Sequence, residues 1–434
     1  MGLLNWLRTI LLGPPPQLPG DALPRESHHR ELVAPSSTAE RERASSARLD
    51  RLSYRSSLVR TDSGREAGGA APPYRFAHRN PRTGRWLDLS TDADDRWLDY
   101  YGLPHLKTPS DLADWLEIPL GRLGWLTHRF CEDHRPASLQ AAHYHFRWIT
   151  KKTGGHRLIE APKASLKEAQ RKVLHGIIER IPPHQNAHGF INGRSIVSNA
   201  RPHVGAYTVL KLDLENFYPS VRYGRVVAIF RSVGFSRDVA IWLARLTTSA
   251  VPHDVRGPAG GHSSVWSYYP RHLPQGAPTS PALANLSAYS LDVRLTGMAR
   301  AYDVTYTRYA DDLTFSGSHR FAAAVRDFAP LVNKIIRGER FVVNRRKQRV
   351  IRRNKRQTVT GVVVNEKTNI SRAAYDTLKA ILTNCARHGP SSQNRDDHGD
   401  FAGHLRGRIA HVAHLNPRRG AKLLQLYQTI DWSR

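Results

Sequence analysis

Tyr306 to Ser316 reads YTRYADDLTFS, two β-prone runs that meet at Ala310, Asp311 and Asp312. Aromatic and β-branched residues suit a pleated, half-buried surface, so the stretch predicts a hairpin with an acidic tip. Adjacent carboxylates repel each other and contribute little to folding, so such a pair invites a cation. A solvated turn accounts equally well for a lone Asp-Asp. The deciding partner lies upstream, in Thr208 to Phe217 (TVLKLDLENF). Its spacing predicts a strand with Leu210, Leu212 and Leu214 on one side and Val209, Lys211 and Asp213 on the other, which puts Asp213 at the end of a strand whose opposite face is buried. Carboxylates offered by two neighbouring strands fit a hard divalent ion such as Mg²⁺, and two such ions can activate a hydroxyl while steadying a leaving pyrophosphate.

The charge balance points the same way. The chain has 434 residues, with Lys+Arg 65 against Asp+Glu 37, a formal net charge of +28. An excess of that size on a chain that is 40% hydrophobic excludes a wholly disordered protein and favours a polyanionic partner, with nucleic acid ahead of an anionic membrane surface. Arg337 to Arg356 (RGERFVVNRRKQRVIRRNKR) concentrates ten basic residues against one acidic, a density suited to phosphates. Between the two acidic segments, Gln275-Gly276-Ala277 permits close backbone approach to a ligand, and Ser280-Pro281 reads as the cap and first turn of a helix carrying Leu283, Leu286 and Val293.

KLDLENFYPSV (from Lys211), LPQGAPTSPALANL (Leu273 to Leu286) and YADD (Tyr309 to Asp312) together resemble, in order, three palm motifs of the reverse transcriptases. NARPH (Asn199 to His203), preceded by HGF at His188 and GRS at Gly193, and followed by VTG (Val359 to Gly361) and the tail LRGRIAHVAHLNPRRGAKLLQLY (from Leu405), is similar to the bacterial retron-type enzymes. The resemblance runs from about Leu106 onward. It implies an α+β right-hand polymerase, with fingers, an antiparallel-sheet palm and a helical thumb, that copies a structured non-coding RNA into a small RNA-linked DNA. It further implies an antiphage role alongside an effector protein. Two alternatives stay open: another defence or group II intron-like reverse transcriptase, and a non-catalytic RNA-binding scaffold on a polymerase fold.

On the same basis Asp213, Asp311 and Asp312 are the expected catalytic residues, and with the Leu214 carbonyl they hold two Mg²⁺ ions. Arg157, Tyr218, Gln275, Gly276 and Lys347 are expected at the nucleotide, Tyr218 as a steric gate against the ribose 2′-hydroxyl. Asn199, His203, Val359, Thr360 and Gly361 are expected at the RNA. So are Arg345, Arg346, Arg352 and Arg353 of the basic run.

Residues 1–85 are expected to form a mostly disordered extension, rich in Pro, Ser, Arg and Glu, with a short amphipathic helix at 1–12. Order is expected from Trp86, with a helical region over 86–142, fingers and palm over 143–365 and a thumb over 366–434. Thr108 to His128 predicts two short helices capped at Thr108 or Ser110, a structural pair rather than a DNA reader because no basic recognition face follows. Tyr144 to Pro162 predicts a hairpin turning at Thr153-Gly154-Gly155. Cys131 and Cys385 stand alone, in no metal or disulfide spacing, and no apolar run spans a bilayer, which together place the protein in the cytoplasm.

Overall fold

The computed structural model describes residues 93–129, 131, 134–151, 154–258 and 265–433. The expectations for 1–85, the 1–12 helix and an ordered start at Trp86 lie outside these residues. Helices α1 (Asp95–Tyr101), α2 (Pro109–Leu116) and α3 (Leu120–Leu126) come first. Thr108 is the cap of α2: its side chain accepts from the Asp111 amide while the Asp111 carboxylate accepts from the Thr108 amide. Strands β1 (Tyr144–Thr150) and β2 (His156–Pro162) pair antiparallel, with Thr150 opposite His156. Helices α4 (Ala164–Gly176) and α5 (Ile196–Ala200) lead to β3 (Thr208–Asp213).

The strand stops at Asp213, short of the predicted Phe217. Asn216 turns left-handed at φ 46° and starts the short α6 (Phe217–Ser220), which carries Phe217 into the core. Helices α7 (Tyr223–Ser232), α8 (Arg237–Thr247), α9 (Ser280–Ser287) and α10 (Tyr289–Ala301) follow. Thr279 is the N-cap of α9 and Ser280 its first residue, and the helix breaks at Ala288, so Val293 sits on a different helix from Leu283. Strands β4 (Thr305–Tyr309) and β5 (Asp312–Gly317), helix α11 (His319–Gly338) and strands β6 (Arg349–Arg352), β7 (Thr358–Val359) and β8 (Val362–Val363) precede three last helices. These are α12 (Arg372–His388), α13 (Phe401–Leu415) and α14 (Pro417–Gln428), which enclose Leu378, Leu382, Leu405, Ile409 and Leu423 in a core of their own.

The central sheet has the order β4-β5-β3-β6, antiparallel throughout. Leu210 and Leu212 of β3 lie opposite Phe315 and Leu313 of β5, and all four are buried against the helices. At about 1.5–3 kcal/mol for each such side chain, that face locks the register: a slip of one residue would turn the leucines outward and drive Asp213 inward. The other face carries Val209, Lys211 and Asp213, opposite Ser316, Thr314 and Asp312. Val209 is covered by Val359, Val362 and Val364, while Lys211 is half-buried. Among the described residues no helix is long and apolar enough to cross a membrane.

Candidate active site

Register and turn together assemble the acids. Asp213 and Asp312 are direct partners at the ends of β3 and β5, and the turn between β4 and β5 passes through Ala310, whose φ of 55° is left-handed. The Leu214 amide donates to the Asp311 carbonyl at 3.0 Å, tying the end of β3 to that turn. From the far side the Asn344 amide donates to the Asp213 carbonyl at 2.8 Å. That contact starts the tight turn Arg345–Lys347, and Lys347 Nζ reaches Asp213 Oδ2 at 2.9 Å.

The electrostatics follow from this crowding. Burial first, then the charges of Asp213 and Asp312, push the Asp311 carboxyl up to about 6. Burial also raises Asp312, with Lys211 pulling it back and Asp213 pushing it up. The hydrogen bond to Asp213 holds the Lys347 ammonium above its usual range.

The segment after α4 packs against this turn. The Arg308 amide donates to the Asn186 carbonyl and the His188 amide to the Arg308 carbonyl, each at 2.7 Å, so HGF runs beside β4. A Cβ on Gly189 would sit 2.7 Å from the Ala310 nitrogen, which explains the glycine. Phe190 is 53% exposed, with its ring 6.2 Å from that of Tyr309.

Gln275 and Gly276 meet β2 through backbone. The Glu160 amide donates to the Gln275 carbonyl at 3.0 Å, and Gly276, at φ 141°, lies where a Cβ would come within 2.9 Å of the Glu160 carbonyl. Beneath that contact the fully buried Glu160 and His272 pair at 2.9 Å. Arg157 is exposed on the same strand, three residues and about 10 Å before Glu160. Tyr218 is half-buried near Asp311 and Tyr309, and burial first, then those neighbours, raises its hydroxyl. Phe217 packs on Phe341 with ring centres 5.6 Å apart.

NARPH lies differently from the RNA contact that the resemblance implies. Asn199 and His203 are both 0% exposed and bond inside the protein, so neither presents an atom to RNA in this structure. His203 meets Ser316 Oγ through Nδ1 at 2.7 Å and Thr307 Oγ1 through Nε2 at 2.8 Å. The Thr307 hydroxyl donates to the Asn199 carbonyl, so Nε2 carries the proton and Nδ1 accepts from Ser316. Burial, with His188 adding to it, lowers His203 to about 3, well into the neutral state. Val359 is likewise buried. Thr360 and Gly361, at φ 46° and 84°, form the two-residue turn of β7-β8, and Asn199 Nδ2 donates to Thr360 Oγ1 at 3.4 Å.

Arg345, Arg346, Arg352 and Arg353 are all exposed, around the edge strand β6. Arg349 stands directly opposite Lys211, a like-charged pairing that costs stability and makes sense beside an anion. Glu160 and His272 escape the motif reading, and Gly189 and Arg308 lie inside quoted stretches without a role of their own. A further signal existed for Arg308, a charged residue in register with inward-facing Tyr306.

The donors fit a divalent ion in one particular way. Among the described residues no three His, Cys, Asp or Glu side chains form a ready-made cage. The carboxylates repel one another, and Asp213 is drawn to Lys347. Mg²⁺ needs no such cage, since it usually takes one or two carboxylates and completes its shell with water and substrate phosphates. Three partly buried acids with one lysine among them match that demand.

Comparison with known proteins agrees with this geometry. Residues 149–364 match the family model of reverse transcriptases (RNA-dependent DNA polymerases). The chain is 41% identical over 337 residues to the retron Mx65 reverse transcriptase of Myxococcus xanthus, covering 76% of this chain and 73% of that one. It is 35% identical to the retron Mx162 reverse transcriptase of the same organism (76% and 71%), and 35% identical to the retron Ec86 reverse transcriptase of Escherichia coli (52% and 64%). Taken with the four-stranded palm sheet and the carboxylates at its end, these likenesses place the chain among the retron reverse transcriptases: it is an RNA-directed DNA polymerase with a right-hand α+β fold.

Proposed function

We propose that this polymerase copies a structured non-coding RNA into a small DNA that stays joined to RNA, in the cytoplasm, as the synthetic part of an antiphage system with a separate effector protein. The observation that carries the catalytic reading is the meeting of Asp213, Asp311 and Asp312 from adjacent strands, with Asp311 raised to about 6 and Lys347 pairing with Asp213 at 2.9 Å. Asp213 and Asp311, with Asp312 beside them and the Leu214 carbonyl, would hold two Mg²⁺ ions. The chemistry such ions would supply is charge stabilisation, easing attack by the primer 3′-hydroxyl and departure of pyrophosphate.

The chain's own part is positioning. Residues 143–365 act as fingers and palm and 366–434 as a thumb. Gln275 and Gly276 seat the incoming nucleotide, and Arg157 offers a planar guanidinium to its triphosphate. The Tyr218 ring excludes a ribose 2′-hydroxyl, and Lys347 Nζ gives a proton to the pyrophosphate oxygen as it leaves. Arg345, Arg346, Arg352 and Arg353 follow the nucleic-acid backbone. Thr360 and Gly361 meet the RNA, while the enclosed Asn199, His203 and Val359 serve the palm fold as a whole.

Sequencing the nucleic acid that copurifies with the full chain tests the reading. Single-stranded DNA linked to one RNA species is the expected result. RNA alone, with no DNA, would overturn it in favour of a scaffold.

A further inference from the structure

Arg308 is among the largest fully buried side chains, 0% exposed, yet it is a cation on a strand that faces the core. Asp292 of α10, also 0% exposed, grips it in a fork: Nε to Oδ1 at 2.8 Å and Nη2 to Oδ2 at 2.6 Å. The Tyr306 hydroxyl donates to the same Oδ1 at 2.8 Å. The remaining nitrogen, Nη1, turns towards the acidic turn, donating to the Ala310 carbonyl at 3.0 Å and to Asn285 Oδ1 at 2.9 Å. Asn285 in turn donates from Nδ2 to the Gly189 carbonyl at 2.8 Å. One guanidinium thus joins α9, α10, the HGF segment and the turn before Asp311.

Stability alone is a weak reason for such a group. A buried ion pair often does no better than hydrophobic residues of the same volume, because both charges must be stripped of water. The geometry supplies a better reason. The Ala310 carbonyl and the Asp311 nitrogen belong to one planar peptide, so whatever fixes that oxygen also fixes the direction in which the chain enters Asp311. Ala310 sits there in a left-handed conformation that is unfavourable for a non-glycine residue and that a carbonyl hydrogen bond offsets. Lysine, a single point of charge, cannot grip Asp292 at two points and hold the carbonyl as well.

We propose that Arg308 is a positioning residue for metal binding: clamped by Asp292, it holds the Ala310–Asp311 peptide plane so that the Asp311 carboxylate is presented to the ion in a set orientation. The inference rests on the reading of Asp213, Asp311 and Asp312 as metal holders.

Two measurements on the full chain test it: Mn²⁺ binding followed by electron paramagnetic resonance, and the Mg²⁺ concentration giving half-maximal extension of an annealed primer. Removing an outer partner of a metal ligand typically weakens affinity about tenfold or more, so Arg308→Lys should shift both measurements by about that factor. Tyr306→Phe, which cuts the same network away from the carbonyl, should lower the melting temperature and shift neither. Folded Arg308→Lys protein with wild-type metal dependence would overturn the proposal. Should Arg308→Lys lose its fold, Asn285→Ser decides: a weaker shift in the same direction supports the proposal, and none overturns it. Equal Mn²⁺ binding by wild type and by the Asp311→Asn, Asp312→Asn double variant would remove the metal reading itself, and the proposal with it.

Discussion

One face of the palm sheet is divided into two halves with opposite characters. At one end Val209, Thr307 and Ser316 lie beneath Asn199, His203 and the β7-β8 hairpin. There the histidine is neutral, with both ring nitrogens paired. At the other end, four residues and about 13 Å along β3, Asp213 and Asp312 gather negative charge that Lys211 and Lys347 oppose. Both halves consist of polar residues in short motifs. What separates them is satisfaction: a polar group whose bonds close within the protein holds the fold, whereas one left with surplus charge is set for a ligand.

The contrast breaks most sharply if the acidic half turns out to be structural. Asp311→Asn with Asp312→Asn should cut primer extension on RNA by at least about 10³-fold, some 4 kcal/mol of transition-state stabilisation, while RNA binding stays near wild type. Extension close to wild type would erase the distinction. In the closed half, His203→Ala should cost about 2–4 kcal/mol of stability, because it opens a cavity and strands Ser316 and Thr307. Denaturant unfolding measures this, and native-transcript and generic-primer activity should fall together. Selective loss on the native transcript would return His203 to the RNA.

The acidic half should also work against stability, which a pH series can detect. The folded Asp311 carboxyl keeps its proton up to about pH 6 and an unfolded one releases it near 3.8, so the folded state binds more protons between those values and stability falls as pH rises through them. Asp311→Asn should therefore unfold like wild type near pH 4 and gain about 1–3 kcal/mol above pH 6, even as activity is lost. A gain independent of pH would point to some cause other than charge. The smallest effect tests Tyr218. Tyr218→Ala should raise ribonucleotide over deoxyribonucleotide efficiency by about tenfold, some 1.4 kcal/mol, in folded protein, whereas Phe217→Ala should mainly lower the melting temperature. An unchanged ratio would make Tyr218 a packing residue.

Legibility followed the range of the interaction. The hairpin at Asp311, the leucine face of β3 and the Thr108 cap are written in local spacing, and each was readable from a few residues. Alternation put Asp213 at the end of β3 but ran the stretch on to Phe217, because the left-handed turn at Asn216 is something alternation cannot express. The break at Ala288 was hidden in an unbroken apolar stripe. Contacts between distant segments were the least legible: Lys347 with Asp213 spans 134 residues, and His203 with Ser316 spans 113. The NARPH string matches a family pattern, but nothing in five residues says which way they face.

Gly189 and Gly276 mark where this enzyme tolerates no added bulk. Each lets one backbone rest on another, against the Ala310 nitrogen and the Glu160 carbonyl, at separations a single methyl group would force apart. For anyone remodelling the polymerase they are two separate adjustment points, one behind the acids and one behind the Gln275 loop. Gly276 also needs its unusual torsion, so alanine there is strained twice over. At Gly189 only space is at stake, but the opposing atom is the Ala310 backbone nitrogen, so no trimming of a side chain makes room for it. If the proposed role of the exposed arginines around β6 holds, directed evolution that leaves these two contacts alone and varies those arginines would alter grip on the template without moving the chemistry.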